Sequence, residues 1–127
     1  MGDSQGVTEP QELHRRLADL YAAFNRRDVD SVLAALAPDV VWPNGWEGGT
    51  VLGHDQVREY WKHQWTEIDP TVVPLGYSDR SDGRTAVTVH QVVKDKRGTV
   101  VADERVVHVY RFVHGLVADM EIRHGSG

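Results

Sequence analysis

The chain has 127 residues, 40% of them hydrophobic and 26% charged, which predicts a single soluble globular domain over residues 1–127. Nineteen acidic against fourteen basic side chains give a formal net charge of −5, which argues against nucleic-acid and anionic-membrane partners. The sequence has no cysteine, so disulfides, thiolate metal ligands and a cysteine nucleophile are excluded. Neither a signal peptide nor a spanning segment is recognisable, and we expect a cytoplasmic protein. Residues 1–7 and 125–127 are expected to be frayed or foreign to the domain.

Apolar residues at three- and four-residue spacing predict helices in the first half of the chain. Thr8 and Gln11 have the spacing of a capping box at the start of the first helix. The predicted helices cover about residues 9–26, the stretch between Asp28 and Pro38, and the stretch from Gly53 to Asp69.

Strands follow the helices, because the pattern changes to alternation from Thr71 onward. Two short strands are also predicted, at residues 39–43 and 50–52, on either side of a glycine-rich loop. The longer strands are expected at about residues 71–78, 84–94, 99–112 and 116–123. This order predicts an α+β fold, with three N-terminal helices packed on one face of a curved, mostly antiparallel sheet.

The last hairpin predicts which residues face the interior. A three-residue loop at 113–115, with Gly115 in the left-handed conformation, pairs His108 with Met120 and Tyr110 with Ala118. A two-residue turn would place acidic residues in the apolar row, which is a worse pattern. The expected interior face has His108 as its one ionisable group and consists of Val106, His108, Tyr110, Phe112, Leu116, Ala118, Met120 and Ile122.

The preceding hairpin turns at Lys96-Arg97-Gly98 and leaves two alternatives open. A three-residue loop pairs His90 with Glu104 on the His108 face, whereas a four-residue loop starting at Asp95 turns His90 outward. The opposite sheet face is too apolar for a solvated surface and predicts a homodimer through the sheet; its valines are Val87, Val89, Val101, Val107, Val109 and Val117.

Several segments are similar to a known family. They read LYAAFNRRDVD at 20–30, LAPDVVW at 36–42, GHDQVREYW at 53–61 and HGLVADM at 114–120. Over about residues 11–123 the chain resembles nuclear-transport-factor-two-like domains, most closely their SnoaL-like and ketosteroid-isomerase-like branches. The resemblance implies a cone with a central pocket between helices and concave sheet, dimerisation through the sheet and no cofactor. It leaves the reaction open, because this fold carries several chemistries.

The ketosteroid isomerases imply a mechanism that this chain does not reproduce. By similarity their catalytic tyrosine falls on Leu20, with Tyr21 turned about 100° around the helix. Their base position falls near Asn44 or Trp42, neither of which can accept a proton, and their oxyanion-hole acid falls on His108. We therefore do not expect a standard ketosteroid isomerase.

The predicted catalytic group is His108, an acid or base near neutral pH on an apolar face. His90 and Glu104 would form a modulating imidazole–carboxylate pair beside it if the first hairpin alternative holds. A metal site is not expected, since the usual histidine spacings are missing.

Large rigid rings predict a pocket for a flat apolar or aromatic ligand, with Asn44 orienting it. Trp61 and Trp65 are expected to be core residues instead, four positions apart on the third helix. The other predicted ligand-binding residues are Leu20, Phe24, Trp42, Trp46, Tyr60, Tyr110, Phe112 and Met120.

Two functions are consistent with these patterns. The first is a small cofactor-independent enzyme of the SnoaL-like type, performing isomerase, cyclase or dehydratase chemistry on a small apolar carbonyl or aromatic metabolite. The second is a non-catalytic ligand-binding or association module with the same cone. A pocket holding His108 beside a carboxylate favours the enzyme, and one filled by Trp and Leu side chains favours the module.

Overall fold

The computed structural model describes residues 9–45 and 48–124. The capping box at Thr8, the ligand-binding role of Trp46 and the predictions for residues 1–7 and 125–127 fall outside these ranges. None of the helices within them is long and apolar enough to cross a membrane.

The observed elements follow the predicted order. Asp28 caps the second helix by accepting a hydrogen bond from the backbone N–H of Ser31. The elements are α1 (Pro10–Asn25), α2 (Val29–Ala34), β1 (Leu36–Pro43), β2 (Thr50–Leu52), α3 (Gly53–Glu67), β3 (Ile68–Asp79), β4 (Thr85–Asp95), β5 (Val100–Val113) and β6 (Leu116–Arg123).

The six strands form one open, curved sheet in the order β2-β1-β6-β5-β4-β3. All neighbouring strands are antiparallel except β1 and β6, which are parallel, so the predicted α+β class and mostly antiparallel sheet are confirmed. β3 starts three residues earlier than predicted and includes Pro70 and Pro74. Because β3 is an edge strand, its prolines need not break pairing with β4.

The core lies between the concave face of the sheet and the helices α1 and α3. Leu17 of α1 and Trp61 of α3 are buried there against Val89 and Val106 of the sheet. Val87 and Val89 pair with His108 and Val106, so they belong to this interior face. Their assignment to the outer face is wrong, and so is that of Val117, which is also part of the core.

Charged side chains cover much of the outer face near β6. Arg84 lies 3.3 Å from Glu121 and 3.7 Å from Asp119, and Arg111 lies 2.6 Å from Asp119. Val109 is fully buried on the same face as these residues. The expected apolar surface is therefore smaller than the sequence indicated, and dimerisation through the sheet stays a prediction.

The β5–β6 hairpin differs from the predicted register but keeps His108 and Tyr110 on the interior face. It turns through His114 and Gly115, both with positive φ, as a two-residue turn requires. A bulge at Ala118 then adds one residue to β6, so that Tyr110 pairs with Met120 and His108 with Ile122. Beyond the bulge the predicted pairs are wrong by two residues, which keeps Met120 and Ile122 on the predicted interior face. Before the bulge the shift is one residue, so the placement of Leu116 on the interior face is wrong: Leu116 pairs with Val113, and Val117 takes its place opposite Phe112.

The β4–β5 hairpin has a shift of one residue, which reverses a face. Its loop has three residues, the first of the two alternatives, and the Asp95 N–H donates to the Thr99 carbonyl at 2.8 Å. A bulge at Val101 then pairs His90 with Arg105 and Gln91 with Glu104. The placement of His90 on the His108 face is therefore wrong, and Gln91 takes that position.

The C-terminal end of α1 is attached to β3 through one side chain. Asn25 donates from Nδ2 to the Val72 carbonyl at 2.7 Å, and its Oδ1 accepts the Val72 N–H at 2.9 Å. Since β3 is an edge strand, these two bonds satisfy backbone groups on the side without a neighbouring strand.

We expect Asn25→Ala to lower the free energy of unfolding by about 2–3 kcal/mol, because two partly buried hydrogen bonds are lost. Urea denaturation measures the change. Arg26→Ala is the matched control, since it removes only an exposed ion pair with Asp28 and should cost less than about 1 kcal/mol. Equal losses in the two variants would contradict the attachment.

Candidate functional site

A cavity of about 330 Å³ lies between α1, α3 and the concave face of the sheet. Aromatic rings make most of its wall. Trp42 and Trp61 meet edge to face with centroids 5.4 Å apart, and Phe24 contacts Trp61 in the same way at 5.5 Å. Such contacts fix the rings, so the cavity has a rigid apolar side suited to a flat ligand.

Three polar side chains form a buried chain of hydrogen bonds at the inner end of the cavity. The Tyr110 hydroxyl donates to the Tyr21 hydroxyl at 2.8 Å, and the Tyr21 hydroxyl lies 2.8 Å from Nδ1 of His108. The Tyr21 and His108 rings are also stacked, 5.8 Å apart. His108 is only 6% exposed and Tyr110 is fully buried.

Burial keeps all three groups neutral. It lowers the pKa of His108 to about 4, with a smaller contribution from His124, because a charged imidazolium loses its hydration there. Burial likewise raises the pKa of Tyr21 well above its ordinary value and raises the pKa of Tyr110. At neutral pH the three hydrogen-bonded side chains are therefore uncharged.

The second ring nitrogen of His108 faces the cavity. Nε2 has no hydrogen-bond partner among the described residues. It is also absent from the polar atoms of those residues that are completely buried without a partner, so part of its surface is exposed. It is therefore accessible from the cavity, which His108 lines. A neutral imidazole in this position can exchange a hydrogen bond or a proton with a bound molecule.

The outer part of the cavity is more polar. Gln91 and Glu104 face each other across β4 and β5, and His124 follows the end of β6. Glu104 is exposed and is the one carboxylate among the described residues that line the cavity. It is four residues from His108 on the same strand, or about 13 Å between Cα atoms.

Most of the predicted ligand-binding residues do line this cavity. Trp61, predicted as core, is both buried and part of the wall, whereas Trp65 packs at the edge of the core against Arg27. The predicted residues that line the cavity are His108, Glu104, Leu20, Phe24, Trp42, Tyr60, Tyr110 and Met120.

Three predicted site residues lie elsewhere. His90 is on the outer face, 2.7 Å from Asp103, because the bulge reversed its side. Asn44 follows β1 into a turn and lines a separate surface depression, and Phe112 lines a groove beneath α1 and α2. The predicted pair of His90 with Glu104 is not formed. The described residues also contain no group of three histidine or acidic side chains placed to hold a metal ion.

Tyr21 is the main residue of the site that the sequence did not predict. Leu20 and Tyr21 both line the cavity, although they point about 100° apart, because the cavity covers a wide sector of α1. Tyr21 stands four positions after Leu17, within the apolar stripe of the helix, and that spacing was the available signal. Gln91 was not predicted either, because it faces the cavity only as a result of the bulge at Val101, and no residue pattern indicates that bulge.

Comparison with known proteins gives a consistent family. A model described as SnoaL-like domain matches residues 17–120. A crystal structure of a nuclear-transport-factor-two-like protein of unknown function from Burkholderia pseudomallei is 32% identical, over 89% of this chain and 90% of that chain, with a TM-score of 0.77. No match was found among curated proteins.

Two further solved structures are similar. TerC, co-crystallized with polyporic acid, is 29% identical over 89% of this chain and 91% of that chain, with a TM-score of 0.77. The epoxide hydrolase/cyclase-like enzyme SalBIII of pyran ring formation in salinomycin is 21% identical over 92% of this chain and 93% of that chain, with a TM-score of 0.78. The second likeness shows the fold alone.

Burial of neutral His108 makes stability depend on pH. The unfolded chain takes up this proton near pH 6.5 and the folded chain only near pH 4, so stability is lost as the pH falls between those values. We expect this one group to lower the free energy of unfolding by up to about 3 kcal/mol between these two pH values. Urea denaturation at a series of pH values should therefore show a steeper loss in the parent protein than in His108→Gln, which does not titrate. Parallel pH profiles for the two proteins would disprove the burial of a neutral imidazole.

Proposed function

Since the chain belongs to the SnoaL-like family, we propose that its cavity catalyses proton transfer on a small, mostly apolar carbonyl or aromatic compound. The observation that carries the proposal is the neutral His108 at the inner end of an apolar cavity, with Nε2 open to it. Isomerisation, cyclisation and dehydration are the reaction types that such a site serves.

The cavity favours a small and flat substrate. Its volume of about 330 Å³ lies at the lower end of the range of about 300–1,000 Å³ for small-molecule sites. The rings of Trp42, Trp61 and Phe24 offer broad apolar contact. TerC, which is 29% identical and was co-crystallized with polyporic acid, supports a small organic ligand in this cavity.

His108 would contact the reacting oxygen. A carbonyl that becomes an enolate gains negative charge on oxygen, and a hydrogen bond in a dry apolar site stabilises that charge more than it would in water. Because the pKa of His108 is lowered to about 4, a charged imidazolium is costly, so this residue is suited to hydrogen bonding rather than to holding the removed proton.

Glu104 is the group that would hold that proton. Its position about 13 Å from His108 along β5 requires the proton to leave from the far end of the substrate, so conjugation must link that carbon to the carbonyl. The C–H electron pair moves through the conjugated system to the oxygen, and returning the proton to a different carbon completes an isomerisation. The proposed substrate class is therefore a conjugated carbonyl or aromatic compound.

A binding module without turnover is the second candidate. The hydrogen bond between Tyr21 and Nδ1 of His108 satisfies that nitrogen, as it would for a structural histidine, and Glu104 is exposed to solvent rather than held beside the imidazole. These two observations favour binding without catalysis. Both candidates require the same occupied cavity and differ only in whether a proton moves.

Proton exchange into isophorone, an apolar conjugated enone, tests the enzyme. In D₂O the protein should accelerate deuterium incorporation, followed by NMR. His108→Leu should lower the catalysed rate at least about 100-fold, because the donor to the developing oxyanion is lost. His90→Ala is the matched control, since that imidazole lies on the outer face, and its rate should stay within about twofold.

The outcomes separate the candidates. Binding of isophorone, seen as a change in tryptophan fluorescence, without any catalysed exchange would favour the binding module. Loss of exchange in His90→Ala as large as in His108→Leu would show that the assigned site is wrong.

Glu104→Gln should lower exchange at the γ carbons of isophorone by about 100-fold and leave its binding nearly unchanged, because the amide keeps the size of the side chain and cannot accept the proton. Position-resolved NMR distinguishes γ from α exchange. Unchanged γ exchange would remove Glu104 from the mechanism.

A further inference from the structure

We infer that Tyr21, whose oxygen accepts a hydrogen bond from Tyr110, fixes the tautomer of His108 so that its Nε2–H points into the cavity as a hydrogen-bond donor. Tyr110 and Tyr21 are thus positioning residues for the imidazole. The tautomer follows from the buried hydrogen bonds alone. Its use on a substrate oxygen rests on the proposed function.

The direction of the chain follows from counting hydrogens. Each hydroxyl has one hydrogen, and Tyr110 donates its own to the Tyr21 oxygen at 2.8 Å. Tyr21 is buried, and the acceptor within reach of its own hydrogen among the described residues is Nδ1 of His108, also at 2.8 Å. If Nδ1–H also donated to the Tyr21 oxygen, that hydrogen would be left without an acceptor. An Nδ1 that accepts carries no proton, so the proton of the neutral imidazole is on Nε2.

The reverse direction leaves a buried donor unsatisfied. If Nδ1–H of His108 donated to Tyr21, and Tyr21 donated to Tyr110, the hydroxyl hydrogen of Tyr110 would have no acceptor among the described residues. Tyr110 is fully buried, so water does not readily replace that acceptor. In the forward direction both hydroxyl hydrogens are used, and the remaining donor, Nε2–H, faces open space in the cavity.

The groups around the imidazole keep this arrangement uncharged. Tyr21 and Tyr110 face His108 from α1 and from its own strand, and His124 lies beyond the end of β6. A tyrosine is un-ionised near neutral pH, and burial raises the pKa of Tyr21 and of Tyr110 further. The inner end therefore prefers a ligand acceptor, such as a carbonyl, enolate or phenolate oxygen, over a ligand whose polar end only donates.

NMR of ¹⁵N-labelled protein without ligand tests the tautomer directly, because protonated and unprotonated ring nitrogens have well-separated ¹⁵N shifts. The parent protein should show His108 with a protonated Nε2 and an unprotonated Nδ1. Tyr21→Phe removes the hydroxyl that lies within hydrogen-bond distance of Nδ1, and a mixture of tautomers should appear. Tyr77→Phe, which removes the hydroxyl of a half-buried tyrosine outside the chain of hydrogen bonds, should leave the tautomer unchanged.

Two results would overturn the inference. One is a parent protein in which His108 carries its proton on Nδ1, a measurement that needs no variant to fold. The other is a folded Tyr21→Phe protein with an unchanged tautomer. In isophorone exchange, Tyr21→Phe should lower the rate about tenfold with little change in affinity. Absence of exchange in the parent would reject the proposed function and leave the tautomer result standing.

Discussion

The hydrogen bond between Tyr21 and His108 is the interaction on which the candidate site depends. It joins the first helix to the fifth strand beneath the cavity and lets a titratable ring be buried without charge. It also uses only one ring nitrogen, so the other is left for a ligand. Without a tyrosine at this place, Nδ1 of the same imidazole would need a water molecule or solvent exposure to be satisfied.

The helices and strands could be predicted because their periods are strong and local. The stripe of Leu17, Leu20 and Phe24 defines α1, and alternation defines β4 to β6 within a few residues. The strand registers could not be predicted, since they depend on bulges at Val101 and Ala118 that no residue type announces. In the last hairpin the bulge offset the error in turn length and preserved the face of His108. In the preceding hairpin no error in turn length offset the bulge, so His90 lies on the outer face.

The same contrast divides the candidate site. His108 was predictable from the sequence because it interrupts an otherwise apolar row, and its place in the row survived the change of register. Tyr21 was not predicted as a site residue, because the resemblance to ketosteroid isomerases places their catalytic tyrosine one residue earlier, at Leu20. The position of a hydroxyl relative to an imidazole depends on how a helix rests on a sheet, and that angle is set by tertiary packing. The aromatic wall was easier to predict, since large rings become buried in almost any arrangement of α3 on the sheet.

An open sheet has two free edges, and each invites another strand to pair with it. Along β3 the outward backbone positions are those that share the orientation of Val72, which include Pro70 and Pro74. The two prolines have no N–H to offer, and Asn25 occupies both polar groups of Val72. Val73 and Leu75 on this strand are 45% and 49% exposed, so pairing with another strand would bury apolar surface. The attachment of α1 to β3 therefore also protects the protein against edge-to-edge aggregation.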